Sequence, residues 1–268
     1  MSSAAPQPTA GLPLFYRDPQ PLNAAQHAGW RLADGDAAFA AQTPFVPVVV
    51  GELAAAARCY PIVFAGGDGQ PVAVLGLEQR NLFVAEGRWA EGVYAPAYVR
   101  RYPFGFIRTV NPDGFALAID AGSERVLREG EGGVALFEDG QPSALTKQAL
   151  QFCDAFQADA AATRAFAEAL TASGLLIDRR ADATLPDGRK LGLDGFRIVD
   201  AEKFAALPDE TVVDWHRKGW LALVHFHLAS LERFSVLLDR QNAVAAVSQD
   251  HVSEPQDGAA AKPKTKKA

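Results

Sequence analysis

Ile62-Val63-Phe64-Ala65-Gly66-Gly67-Asp68-Gly69-Gln70-Pro71-Val72-Ala73-Val74-Leu75-Gly76-Leu77 places two apolar, β-branched runs on either side of a Gly-Gly-Asp-Gly loop. Glycine supplies the positive φ that a tight reversal needs, and Val and Ile suit a pleated surface, so the stretch predicts an antiparallel hairpin. Upstream, Phe45 to Val50 is a further apolar run, and the alanines of Glu52 to Arg58 favour a helix that Pro61 ends. Downstream, Asn81 to Val84 and Phe115 to Ile119 read as short strands, the second entered through the turn Asn111-Pro112-Asp113-Gly114. The N-terminal half is therefore predicted to be an antiparallel sheet with one short helix.

After Pro142 the period changes. Leu145, Ala149, Phe152, Phe156, Thr163, Phe166 and Leu170 recur at three, four or seven positions, which is the apolar stripe of a helix over about 143–173. Ser143 is its expected N-cap and Gly174 its stop. The segments 185–190 and 194–199 predict a small strand pair. Pro208-Asp209-Glu210 then opens a second long helix, about 209–242, with acids in its first turn. Most of its circumference is apolar, with Trp215, Trp220, Leu223, Val224, Phe226, Leu228, Leu231, Phe234 and Leu237, so a largely buried helix is predicted. The whole reads as a single α+β domain over residues 12–247, between frayed ends at 1–11 and 248–268.

A chain of 268 residues, 49% hydrophobic and 22% charged, can bury a core without metal or disulfide. Its two cysteines, Cys59 and Cys153, have no paired spacing and are expected to be buried thiols. The net charge of -6 argues against a nucleic-acid partner, which needs clustered cations on one face. The basic run Lys262 to Lys267 falls in a tail without apolar periodicity and is read as solvated. No segment approaches the ~20 apolar residues of a membrane span, since Phe45 to Phe64 is broken by Pro47, Glu52, Arg58 and Pro61 and Gly219 to Ala229 is too short. The first ten residues lack the basic and apolar regions of a secretion signal, and cytoplasmic residence is expected.

Chemistry is sparse. His225 and His227 would share a face on a strand, but on a helix they point about 200° apart, while His216 and His227 are separated by roughly 16 Å of helical rise. Neither pair is expected to hold a metal. Gly66 to Gly69 joins two strands instead of opening a helix, and Gly130, Gly132 and Ala135 lie beside Glu129 and Glu131, which would repel a pyrophosphate; both are read as turns. No cofactor is expected. Glu52, Asp120 and Asp200 border apolar runs, and an enzyme would need them, or His27 and His225, to converge in a cleft. The strongest candidate for recognition is the stretch Arg88 to Phe106, dense in aromatics and arginines. Within it Trp89, Tyr94, Tyr98, Arg100, Arg101 and Tyr102 offer ring faces and guanidinium forks suited to a partner or a small ligand. The competing reading makes the aromatics a plug at the end of the sheet, with the arginines as their caps.

A series of short motifs carries a family resemblance. They include His27-Ala28-Gly29, Phe45-Val46-Pro47, Tyr60-Pro61-Ile62-Val63-Phe64, Asn81-Leu82-Phe83-Val84 and Tyr94-Ala95-Pro96-Ala97-Tyr98-Val99-Arg100-Arg101-Tyr102-Pro103-Phe104, then Leu207-Pro208-Asp209-Glu210 and His227-Leu228. Together they resemble the bacterial SapC family over about residues 12–241. The resemblance implies a role connected with paracrystalline surface layers, in genomic company with TonB-dependent receptors and tryptophan-halogenase-like proteins. It brings no catalytic residue set. The peptide-transporter permease of the same name is a different protein. The expected function is a non-enzymatic accessory protein that binds a partner or small ligand in support of surface assembly or nutrient uptake. The alternatives are an enzyme acting on a sugar or aromatic metabolite, and an exported surface-layer component.

Overall fold

The structure, a computed structural model, describes residues 3–4, 12–110, 113–185 and 188–250. Of the ends expected to fray, 1–2, 5–11 and 251–268 lie outside the described residues, as does the tip of the Asn111 to Gly114 turn at 111–112.

The hairpin forms as its sequence dictates. Ile62–Ala65 and Gln70–Val74 pair antiparallel with Ile62 opposite Ala73, and Gly66 and Gly69 take φ of 67° and 70° in the connecting loop. Phe45–Pro47 adds to the outer side of Gln70–Val74, and Lys190–Val199 pairs with Ile62–Ala65, so strands from both halves of the chain make one sheet. Ser3–Ala4 joins it in parallel at Leu193–Asp194. Its central strands are dry, with Ile62, Phe64, Ala73 and Val74 fully buried. Val50–Glu52 and Leu53–Ala56 form the short helical stretch expected after the first strand. A second sheet orders Pro19–Pro21, Asp113–Asp120 and Phe104–Val110, all antiparallel, and a third sets Arg31–Leu32 between Val126–Leu127 and Val134–Ala135. The expected strand at Asn81 to Val84 shortens to Val84–Ala85, paired with Arg88–Trp89.

The long helix Ala144–Ala172 matches its predicted limits. The Ser143 hydroxyl accepts from the Thr146 N–H at 3.3 Å, and Gly174, at φ 67°, follows its C-cap. The strand pair differs from the expectation. Its first strand is Leu176–Thr184, and Leu185, expected to begin it, lies beyond the paired residues, where its N–H donates to the Arg189 carbonyl. That strand carries little sequence signal, because Asp178, Arg179, Arg180 and Asp182 face water along it and leave little apolar alternation.

The predicted helix over 209–242 is delivered in three pieces, Asp209–Arg217, Trp220–Ser230 and Arg233–Asp250. Gly219, at φ 74°, makes the first break, and a turn at Leu231–Glu232 makes the second. The first break lets Trp215 fold back edge-on against Trp220 at 5.8 Å. Burial is also less complete than a single apolar helix predicts. Trp215, Val224 and Leu237 are buried, but Phe226 is 38% exposed. By length and composition, the near-continuous helical run Trp220–Val244 is long and apolar enough to cross a membrane, which corrects the expectation that the apolar segment stops at Ala229; it continues past Glu232 and Arg233.

His227 fastens this element to the sheet. Its Nδ1 donates to the Ile62 carbonyl at 2.9 Å and its Nε2 accepts from the Val199 N–H at 3.0 Å, which fixes a neutral tautomer. One turn on, the Ser230 hydroxyl accepts from the Ile62 N–H at 3.0 Å and donates to the His227 carbonyl. Burial pushes the His227 imidazole down to about 4. It is a core residue, with both ring nitrogens engaged by backbone groups.

Candidate functional site

The six candidate residues occupy a short β-strand, a loop and a short helix. Trp89 lies on the small hairpin, Pro96 restrains entry to the helix Ala97–Arg100, and Arg101 and Tyr102 follow directly before the strand Phe104–Val110. Tyr98 and Tyr102 are buried, Trp89, Tyr94 and Arg101 are half-buried, and Arg100 is exposed. The run is thus a wall with a buried back and a cationic front.

Glu52 organises the back. Although only 5% exposed, its carboxylate is fully matched: Oε2 accepts from the Tyr94 hydroxyl at 3.0 Å and the Ala97 N–H at 2.6 Å, and Oε1 accepts from the Val49 N–H at 3.1 Å. Burial nonetheless holds its carboxyl above the usual range, with these hydrogen bonds and the Arg100 charge opposing. Tyr94 in turn accepts from Arg100 Nη2 at 2.9 Å, while Arg100 Nε donates to the Ala95 carbonyl at 3.0 Å. Trp89 Nε1 donates to the Tyr60 hydroxyl at 3.0 Å, and that hydroxyl donates to the Tyr94 carbonyl. Desolvation raises the Tyr60, Tyr94, Tyr98 and Tyr102 phenols, so all four are protonated donors near neutral pH.

A second buried acid serves the other end of the wall. Asp120, fully buried, accepts from the Tyr102 hydroxyl at 2.8 Å through Oδ2 and from the Arg17 and Asp18 N–H groups at 3.0 and 2.6 Å through Oδ1. Tyr102 packs against Phe39 at 4.3 Å, and Tyr98 donates to the Leu14 carbonyl at 3.3 Å. The third acid, Asp200, accepts from the N–H groups of Glu202 and Lys203 and caps the helix Ala201–Ala205. Each of the three acids therefore works in its own local network. His27 Nδ1 contacts the Asn23 backbone at 3.0 Å, and the His225 ring meets Phe204 edge-on at 5.2 Å. Among the described residues no group of His, Cys, Asp and Glu has the arrangement of a metal site.

The front is formed with the long helix. The Arg100 guanidinium lies 5.1 Å from the Phe152 ring and 5.4 Å from Tyr94, and that of Arg101 lies 4.1 Å from Tyr98 and 4.4 Å from Phe156. Phe152 and Phe156 are one helical turn apart and so share a face. Sequence alone read these phenylalanines as part of an apolar stripe. No spacing signal connects them to arginines some fifty positions earlier, because the contact is made by tertiary packing.

A family model described as SapC matches residues 22–237. No curated protein and no solved structure matches the chain.

Proposed function

Because the chain belongs to the SapC family, matched over residues 22–237, we propose that it is an accessory protein that recognises a partner or small ligand through the aromatic–arginine wall, without catalysis of its own. The observation that carries this reading is the setting of Arg100 and Arg101. Both guanidinium groups rest on aromatic faces, and among the described residues neither has a carboxylate in ion-pair contact. A cation held in place without a direct ion pair is suited to an external partner. The buried acids support the same reading, since the oxygens of Glu52 and Asp120 are engaged by donors of the protein itself. In keeping with the family, the role we propose is support of surface-layer assembly or nutrient uptake, exercised from the cytoplasm.

The test is comparative capture of native partners by the full chain and by an Arg100→Gln, Tyr94→Phe double variant, with cell fractionation alongside. A partner enriched by the parent and lost with the variant is the expected result. Identical enrichment by both proteins, or turnover of a sugar or aromatic metabolite by the purified protein, would refute the proposal.

A further inference from the structure

We propose that Arg100 and Arg101 form an oxyanion site, taking a carboxylate or phosphate group between two guanidinium forks; this rests on the reading of the wall as a recognition surface. Three observations converge on it. The two cations stand over Phe152 and Phe156, one turn apart on the helix Ala144–Ala172, so consecutive arginines are brought to the same helix face. Tyr94 also supports Arg100 from the side, by ring contact and by accepting from Nη2.

The second observation is charge. The nearest acid to Arg100 along the network is Glu52, which makes no ion pair with it: the Arg100 charge reaches that carboxyl through space and through the Tyr94 hydroxyl, while Tyr94, Ala97 and Val49 hydrogen-bond it. Asp159, one turn beyond Phe156 on the helix, lies against Gly51. Two cations on one helix face, neither in ion-pair contact with a carboxylate, make a positive patch that favours an oxyanion.

The third is an unmatched donor. Arg101 Nε is buried without a hydrogen-bond partner while its guanidinium is pinned between Tyr98 and Phe156. Pinning lowers the side-chain entropy that either arginine loses on forming a forked contact, and Arg suits planar or tetrahedral oxyanions through paired N–H donors. Free phosphate and a carboxylate-bearing molecule share this chemistry.

Isothermal titration at low ionic strength, with sodium phosphate in one arm and sodium citrate in the other, tests the site in the full chain. Arg100 is exposed, so Arg100→Gln is expected to fold, and it should weaken binding by on the order of tenfold or more. Arg100→Lys, which keeps charge but loses the fork, should fall between the two, whereas Arg217→Gln, on an exposed helix remote in sequence, should match the parent. Binding in either arm with this ranking supports the site, and the responding arm identifies the oxyanion. No heat in either arm, or equal binding by the parent and Arg100→Gln, overturns it. If anions fail to bind while partner capture still depends on Arg100, the oxyanion assignment falls and the recognition surface stands; the opposite pattern removes the partner reading alone.

Discussion

Replacing His227 by Gln tests whether the helix-to-sheet fastening is as the structure describes. In the folded protein the imidazole is fully buried between the Ile62 carbonyl and the Val199 N–H, and its pKa is pushed down to about 4 from an ordinary 6.5. The unfolded chain therefore takes up a proton that the folded chain refuses between pH 6.5 and 4. The stability contributed by neutral burial is complete above pH 6.5 and is lost as pH falls toward 4. At ~1.4 kcal/mol per pH unit, the full loss is about 3 kcal/mol, of which about 2 kcal/mol has gone by pH 5. Glu52 has the opposite sign, because its raised carboxyl favours the folded state as pH falls, so the comparison must be made between parent and variant. At pH 7.5 His227→Gln should cost about 1–3 kcal/mol, since the glutamine amide offers a donor and an acceptor but lacks the rigid ring that sets both against Ile62 and Val199 and fills the buried space between them. Urea unfolding at pH 7.5 and pH 5 should show that penalty shrinking by about 2 kcal/mol at the lower pH. The same pH slope in both proteins, or an imidazole titrating near 6.5 by NMR in the folded parent, would refute the reasoning.

Tyr102→Phe removes the hydroxyl that donates to fully buried Asp120; urea unfolding should register a loss of about 1.5–3 kcal/mol, the range for hydrogen bonds to charged groups. Glu52→Ala strands the Ala97 and Val49 N–H groups and the Tyr94 hydroxyl, and a drop of at least about 3 kcal/mol is expected at neutral pH by the same measurement. Gly219→Ala meets no neighbour within 4 Å but must hold φ 74°, so its cost is conformational, about 1 kcal/mol, readable as a lower Tm. Iodoacetamide at pH 8 should modify Cys59, which is partly exposed, well before Cys153, whose thiol burial pushes up to about 11; mass spectrometry of labelled peptides gives the order.

Local chemistry made much of this fold legible. The hairpin at Ile62 to Val74 and the helix Ala144–Ala172 were readable because turn glycines, a serine cap and a regular apolar stripe act within a few residues. The terminal helices were mis-joined, since Gly219 costs only about 1 kcal/mol inside a helix and its left-handed conformation is decided by the packing of Trp215 on Trp220. Leu176–Thr184 carries an exposed charged pattern that resembles a loop as much as an outer strand. Of the wall, the residue types were legible and the geometry was not. Glu52 meets Ala97 across 45 positions, and the Arg101 contact with Phe156 spans a comparable stretch, so neither leaves a periodic trace.

Ser230 and His227 also bear on how the chain is made. Ile62 lies on an inner strand, yet its two peptide groups find partners 168 and 165 residues later. At about 5–20 residues per second, translation takes roughly 8–33 s to supply them. During that interval the nascent sheet presents an unfinished surface to the ribosome exit and to chaperones, and closure waits for His227 and Ser230.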